Sequence, residues 1–254
     1  MNLSNSDLNQ NNNQDTIKIV CISDTHTRTN NLELPKGDIL IHAGDFSYSG
    51  EIREIKKFCD FLNQQDFKYK VIIAGNHDLT FDQEKYDELI SKWHNENKNN
   101  VLSCKETKAL LSNCIYLENS GVEIMGYKFW GSPVTPVFYD WAFMKERGND
   151  IRKVWDMIPL NTDVLITHGP PFGILDKCDP MYNNGKVIHA GCEELLKIVT
   201  EKIKPKYHIF GHIHEAYGKV TINETTFVNA SICNIRYFPD NPPIVIDLPR
   251  KNNV

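Results

Sequence analysis

No Cys-x-x-Cys pair occurs anywhere in the 254 residues. Seven cysteines, an odd number, are scattered between Cys21 and Cys233. That spacing excludes a thiolate zinc module and speaks against a disulfide framework. Buried, reduced thiols in a cytosolic protein are the expectation. No apolar run approaches the ~18 residues of a membrane span, and the N-terminus shows no basic-then-apolar leader. The C-terminal Arg250-Lys251-Asn252-Asn253-Val254 matches no retention or lipidation signal. The expected location is therefore the cytoplasm, with no membrane partner. Charge of one sign is also lacking: 28 basic against 33 acidic residues leave a net charge of -5. Such a balance gives no whole-surface attraction for nucleic acid.

What is present begins with an Asn/Gln-rich stretch, residues 1–15, which has little to bury and is expected to be a disordered tail. Residues 16–254 are expected to form one domain, long enough to bury roughly three quarters of its unfolded surface. β-Branched runs predict strands at Ile17–Ile22, Asp38–Ala43, Lys70–Ala74, Asp163–Thr167 and Tyr207–Phe210. One-face apolar spacing predicts helices over about 51–63, 83–95, 146–157 and 192–203. Hairpins are expected at 122–130, turning at Gly126, and at 219–228, with an edge strand near 243–248. The Pro-, Gly- and Asn-rich stretch 170–188 is long enough for a functional lip.

Each of the five strand candidates ends in potential metal ligands: Asp24 and His26, Asp45, Asn76 and His77, His168, and His212 with His214. Four of these exits carry a glycine, at Gly44, Gly75, Gly169 and Gly211. Sites in open α/β sheets form outside the carboxyl ends of strands, so parallel neighbours would gather these residues along one edge. The segments Asp38-Ile-Leu-Ile-His-Ala-Gly and Asp163-Val-Leu-Ile-Thr-His-Gly resemble each other and hint at two related half-sheets. Carboxylate, amide and imidazole donors without thiolate suit hard-to-borderline dications. Two carboxylates, one amide oxygen and four of the imidazoles make seven donors, which exceed one tetrahedral shell and suit two ions sharing a carboxylate. The remaining imidazole nitrogens would need acceptors, and nearby backbone carbonyls are expected to supply them.

Asp24-x-His26, Gly44-Asp45, Gly75-Asn76-His77-Asp78, His168 and Gly211-His212-x-His214 resemble, in order, the signature blocks of the calcineurin-like metallophosphoesterases. Ser23-Asp24-Thr25-His26, Thr167-His168-Gly169-Pro170-Pro171 and His214-Glu215-x-Tyr217-Gly218 are similar to its metallophosphoesterase-domain-containing branch. Some members of that branch carry glycine at the position of His212, which this chain keeps. The resemblance implies an α/β fold, a four-layer α/β/β/α sandwich. It puts Asp24, His26, Asp45 and His214 on one metal, with Asp45 bridging to a second held by Asn76, His168 and His212. His77 would face the substrate, with Asp78 behind it as orienting partner. The implied cofactors are two divalent ions, manganese first, with iron, zinc, cobalt or nickel as alternatives. The implied reaction is hydrolysis of a phosphodiester, a nucleotide or cyclic nucleotide, by in-line attack of a hydroxide bridging the metals. A phosphomonoesterase on the same site and a low-turnover nucleotide-binding or scaffold protein are the alternatives.

Other residues draw plainer readings. His42 and His208 lie within strands and are read as structural, and His94 as a solvated helix-end residue. Asp38 and Asp163 precede strands and are expected to serve turns. Arg28 and His189 are the candidate substrate contacts. Phe138, Tyr139, Trp141 and Phe143 could stack a base, with core packing favoured, and Lys56 and Lys57 read as solvated helix charges.

Overall fold

The computed structural model describes residues 16–94, 98–180 and 184–251. The expected tail, 1–15, lies outside them. The first half runs β1 (Thr16–Ile22), β2 (Ile39–Ala43), α1 (Ile52–Asn63), β3 (Tyr69–Ile73), α2 (Tyr86–Trp93), α3 (Cys104–Leu110) and β4 (Ile115–Tyr116). Next come β5 (Ser120–Ile124), β6 (Tyr127–Ser132), β7 (Thr135–Pro136), β8 (Met144–Lys145), α4 (Asn149–Trp155) and β9 (Val164–Thr167). The chain continues with β10 (Lys177–Cys178), β11 (Ile188–His189), α5 (Glu193–Lys197) and β12 (Tyr207–Phe210). It closes with β13 (Gly218–Ile222), β14 (Thr225–Asn229) and β15 (Ile244–Pro249).

Two large sheets result. The first has the order β15-β1-β2-β3-β4, with only β15 antiparallel to its neighbour. The second is β13-β14-β12-β9-β6-β5, with four parallel central strands and an antiparallel strand at each edge. Side chains alternate across each strand. Ile17, Ile19 and Cys21 of β1 face inward with Val164, Ile166, Ile209 and Val228, forming the core between the sheets. Val20 and Ile22 face outward, onto Ile55, Phe58 and Leu62 of α1. On the far side Leu165, Phe210 and Phe227 pack against Ile151 and Trp155 of α4 and Leu195 of α5. The expected four layers follow: helices, sheet, sheet, helices.

Both sheets use one device at the strand entrances. Asp38 accepts a hydrogen bond from the Lys18 backbone N–H (2.8 Å), and Asp163 accepts one from the Lys128 N–H (3.0 Å). These aspartates hold strand starts together, as expected of turn residues. His42 and His208 are fully buried, each with Nε2 on a threonine hydroxyl, Thr25 and Thr167 respectively.

Several boundaries differ from the periodicity. α2 starts at Tyr86 because the buried Asp82 carboxylate accepts from the Glu84 and Lys85 N–H groups, holding the preceding residues in a turn. α3 was not expected; Ser103 and Glu106 form a capping box at its start. α5 continues as a π-helical turn over Ile198–Ile203. His94 corrects the solvated reading: it is buried, with Nε2 2.8 Å from the Ser49 carbonyl.

Candidate metal centre

The five exits that carry candidate ligands meet, though not along the edge of one sheet. Asp24, His26, Asp45, Asn76 and His77 follow β1, β2 and β3 of the first sheet; His168, His212 and His214 follow β9 and β12 of the second. The carboxyl ends of both sheets open on the same side, and the cluster forms where they face each other. His168 Nε2 lies 2.9 Å from Asn76 Oδ1 and 3.3 Å from Asp45 Oδ2. His214 Nε2 lies 3.4 Å from Asp24 Oδ1 and 3.3 Å from His26 Nε2, and His26 Nε2 lies 3.8 Å from Asp45 Oδ2. Three overlapping triads have ligand atoms within 4.8 Å of one another: Asp24–His26–His214, His26–Asp45–His77 and Asp45–His168–His212. Asp45 is common to the last two.

The backbone is strained to achieve this. Asp24, His26, Asp45 and His212 take φ of 51°, 39°, 57° and 68°, a region that costs a residue with a Cβ roughly 1–2 kcal/mol each. Two glycines make room. A Cβ at Gly75 would strike the Asp45 carboxylate, and one at Gly211 the Asp24 carboxylate and Ser23 hydroxyl.

Backbone carbonyls set the imidazoles. A carbonyl only accepts, so Nδ1–H must donate in each of four rings: His26 to Ser47 (3.2 Å), His77 to Tyr48 (2.9 Å), His168 to Ala43 (2.9 Å) and His214 to Asn234 (3.0 Å). The Nε2 lone pairs of the neutral rings are thereby left for the cluster. Asp24 accepts from the Ser23 and Ser231 hydroxyls (2.5 and 2.8 Å) and the His212 N–H (3.0 Å).

Burial would raise the Asp24 carboxyl, but the hydrogen bond and charge of His214 hold it well below the usual range. Asp45 is likewise lowered against burial, chiefly by His168 and His77. Burial dominates at His26 and His212, each lowered to about 3. At His168 burial is outweighed by Asp45 and Asp24, and the imidazole is raised to about 9. Two adjacent anions and a set of preset Nε2 acceptors fit divalent cations, which would take over the charge balance that His168 and His214 otherwise provide.

Asp78 departs from its expected place behind His77. Its carboxylate accepts from Asp45 N–H (3.0 Å), Gly75 N–H (2.8 Å), Ser47 N–H (2.9 Å) and Ser47 Oγ (2.6 Å). The ring of His77 is held by the Tyr48 carbonyl instead, and Asp78 braces the loops beneath. Burial and the Asp45 charge push Asp78 up to about 8, against these donors.

Arg28 is exposed and belongs to none of the triads. His189 is held by the buried Asp176, Nδ1 to Oδ1 at 2.6 Å, on the ribbon of β10 and β11. That lip sits against the His214–Ala216 turn, and the Asp179 N–H donates to Glu215.

Aromatic residues rim the cluster. Trp141 lies over His77 with ring centroids 4.1 Å apart, and Trp93 stacks on Trp141 at the same distance. Tyr237 packs edge-on to His26 at 4.7 Å and stacks with Tyr48 at 5.2 Å. Of the four aromatics weighed earlier, only Phe143 is buried; Phe138 and Tyr139 are exposed and Trp141 adjoins the site. Tyr48 and Tyr237 carry no motif that would have singled them out.

Two facing mixed sheets with a carboxylate–imidazole cluster at their joined strand ends define a metallophosphoesterase. The family model for calcineurin-like phosphoesterase matches residues 17–216, and the chain belongs to that family. It is 47% identical to human metallophosphoesterase domain-containing protein 1 over 246 residues, covering 93% of this chain and 72% of that protein. A UPF0046 protein of Caenorhabditis elegans is 39% identical over 250 residues, covering 92% of this chain and 61% of the relative. TT1561 of Thermus thermophilus, at 9% identity, shares the fold with a TM-score of 0.52 over 84% of this chain and 88% of that one. Among the described residues no helix is long and apolar enough to cross a membrane.

Proposed function

We propose that the protein is a dinuclear metal-dependent phosphodiesterase acting on small nucleotide-like esters. The observation that carries the reading is the Asp45 carboxylate, shared between two ligand triads. One ion would be held by Asp24, His26, Asp45 and His214, the other by Asp45, Asn76, His168 and His212. Two such ions, manganese being the first to test, would acidify bound water toward a pKa of about 7 and polarise the phosphoryl group. The chain's own residues do the rest. Asp24 and Asp45, as anions, leave the loaded site about two positive charges, enough to balance a phosphodiester and one further anion. His77, with Nδ1–H fixed on the Tyr48 carbonyl and its ring against Trp141, leaves Nε2 for the substrate, and as the imidazolium it would donate from Nε2 to a phosphoryl or leaving-group oxygen. The Trp141 and Tyr237 rings give the mouth an apolar, aromatic rim suited to a base or sugar.

Metal analysis of protein loaded with manganese should return close to two ions per chain; one or none would sink the dinuclear reading. The loaded protein should hydrolyse bis-p-nitrophenyl phosphate faster than p-nitrophenyl phosphate, and cyclic nucleotides should be substrates or competitors. Faster hydrolysis of the monoester would reassign it as a phosphomonoesterase. Two bound ions with no turnover of any of these would favour a nucleotide-binding protein.

A further inference from the structure

Beside the metal centre lies a surface cavity of about 350 Å³, lined by Thr27, Arg28, Asn30, Asn31, Lys57 and Leu32, with Pro239 at its edge. Its lining contains two cations and no carboxylate. Arg28 is exposed and Lys57, on α1, is half-buried. Among the described residues neither side chain makes an ion pair or a hydrogen bond. Asp240, an acid on the neighbouring loop, accepts from Asn234 and does not line the cavity. On the same helix as Lys57, Arg53, by contrast, is matched with Glu51. Two unmatched cations turned into one cavity, with amide and hydroxyl side chains beside them, make a receptor for an anion.

The position ties this cavity to the reaction. Thr27 and Arg28 directly follow His26, so the cavity begins within roughly 7 Å of chain from a candidate ligand. Pro239, also in the lining, lies two residues after Tyr237, whose ring packs at 4.7 Å on His26 and 5.3 Å on His214. One loop therefore faces the metal centre at Tyr237 and the basic cavity at Pro239. The volume is at the small end of the roughly 300–1,000 Å³ typical of ligand sites. It has room for a phosphate group between the two cations.

We propose that Arg28 and Lys57 form a second phosphate subsite, which takes a distal phosphate of the substrate while the scissile ester occupies the metal centre. The preferred substrate is then a phosphodiester with a further phosphate about one sugar away. This rests on the phosphodiesterase reading above. It also revises Lys57 from a solvated helix charge to a substrate contact.

Two chromogenic diesters differing in one group provide the test: thymidine 5′-(p-nitrophenyl phosphate) and the same ester carrying a 3′-phosphate. Manganese-loaded wild type should prefer the 3′-phosphorylated ester in kcat/KM. Lys57→Gln should cut that preference about tenfold, the worth of one charge-assisted hydrogen bond, and Arg28→Gln similarly. The effect should fall on KM, and Lys57→Glu should invert the preference. A structural role for Lys57 would lower both substrates together, leaving the ratio unchanged and overturning the proposal. Calorimetry reads the subsite without turnover: thymidine 3′,5′-bisphosphate should bind wild type about tenfold more tightly than thymidine 5′-monophosphate, and Lys57→Glu should invert that order as well. Failure to hydrolyse either diester would count against the phosphodiesterase reading, with calorimetry still deciding the subsite. Equal binding of the two nucleotides overturns the subsite, and so does inorganic phosphate binding that depends on Lys57 without any bisphosphate preference.

Discussion

At the scale of single residues, the centre depends on groups whose freedom has been removed. His77 donates Nδ1–H to the Tyr48 carbonyl and its backbone N–H to Asp45 Oδ1 (2.8 Å), and lies against Trp141. Among the ring-bearing residues of the cluster it alone is left outside the two proposed ligand sets. His77→Asn should therefore lower kcat by about 10²–10⁴-fold, the usual worth of positioned proton transfer, while bound metal stays near that of wild type. Metal content and single-turnover rates on the same preparation check this. Loss of both together would make His77 a ligand, as its triad with His26 and Asp45 allows.

At the scale of elements, legibility followed the strength of the local signal. Ile19-Val20-Cys21-Ile22 and Val164-Leu165-Ile166 are apolar on both faces because each lies in the middle of a sheet sandwiched between layers, so they read as strands without ambiguity. The candidate ligands were legible because aspartate, asparagine and histidine recur at five strand exits, four of them beside a glycine. That five exits belong to two sheets was implied by the family resemblance, while the residues themselves only hinted at it, by the likeness of the segments starting at Asp38 and Asp163. α3 went unread although Ser103-x-x-Glu106 announces it, because seven residues with little apolar surface give almost no periodicity. Tyr48, Tyr237 and the brace at Asp78 were beyond reach: each acts through contacts 30 or more residues away in sequence or through a loop without a repeating pattern. The brace makes a prediction of its own. Asp78 ties the exits of β2 and β3 by four hydrogen bonds inside a site closed to solvent. Asp78→Ala would leave buried N–H donors unpaired at about 1–3 kcal/mol each. Thermal unfolding should show a loss of at least about 3 kcal/mol, with metal content falling because Asp45 is no longer aimed. Unchanged stability would show that these loops hold without it.

For the whole molecule, the two sheets are joined by an apolar core at one level and by the ligand cluster at another. Asp24, His26, Asp45 and Asn76 come from the first sheet, and His168, His212 and His214 from the second. Even without metal the seam is knitted by His168 Nδ1 to the Ala43 carbonyl and by Ser231 and His212 to Asp24. Ions that bind only this assembled arrangement stabilise the native state by mass action, about 2.7 kcal/mol at a hundredfold excess over Kd. For a chain of this size that corresponds to a rise in Tm of roughly 5–10 °C. Chelator-stripped protein titrated with manganese should show this rise in a single cooperative transition, because the sheets share one core and separate together. His168→Ala removes a second-sheet ligand while sparing those of the first, and should shrink the rise by at least half. A rise of full size in that variant would mean that the ions bridge no sheets and bind somewhere other than this seam.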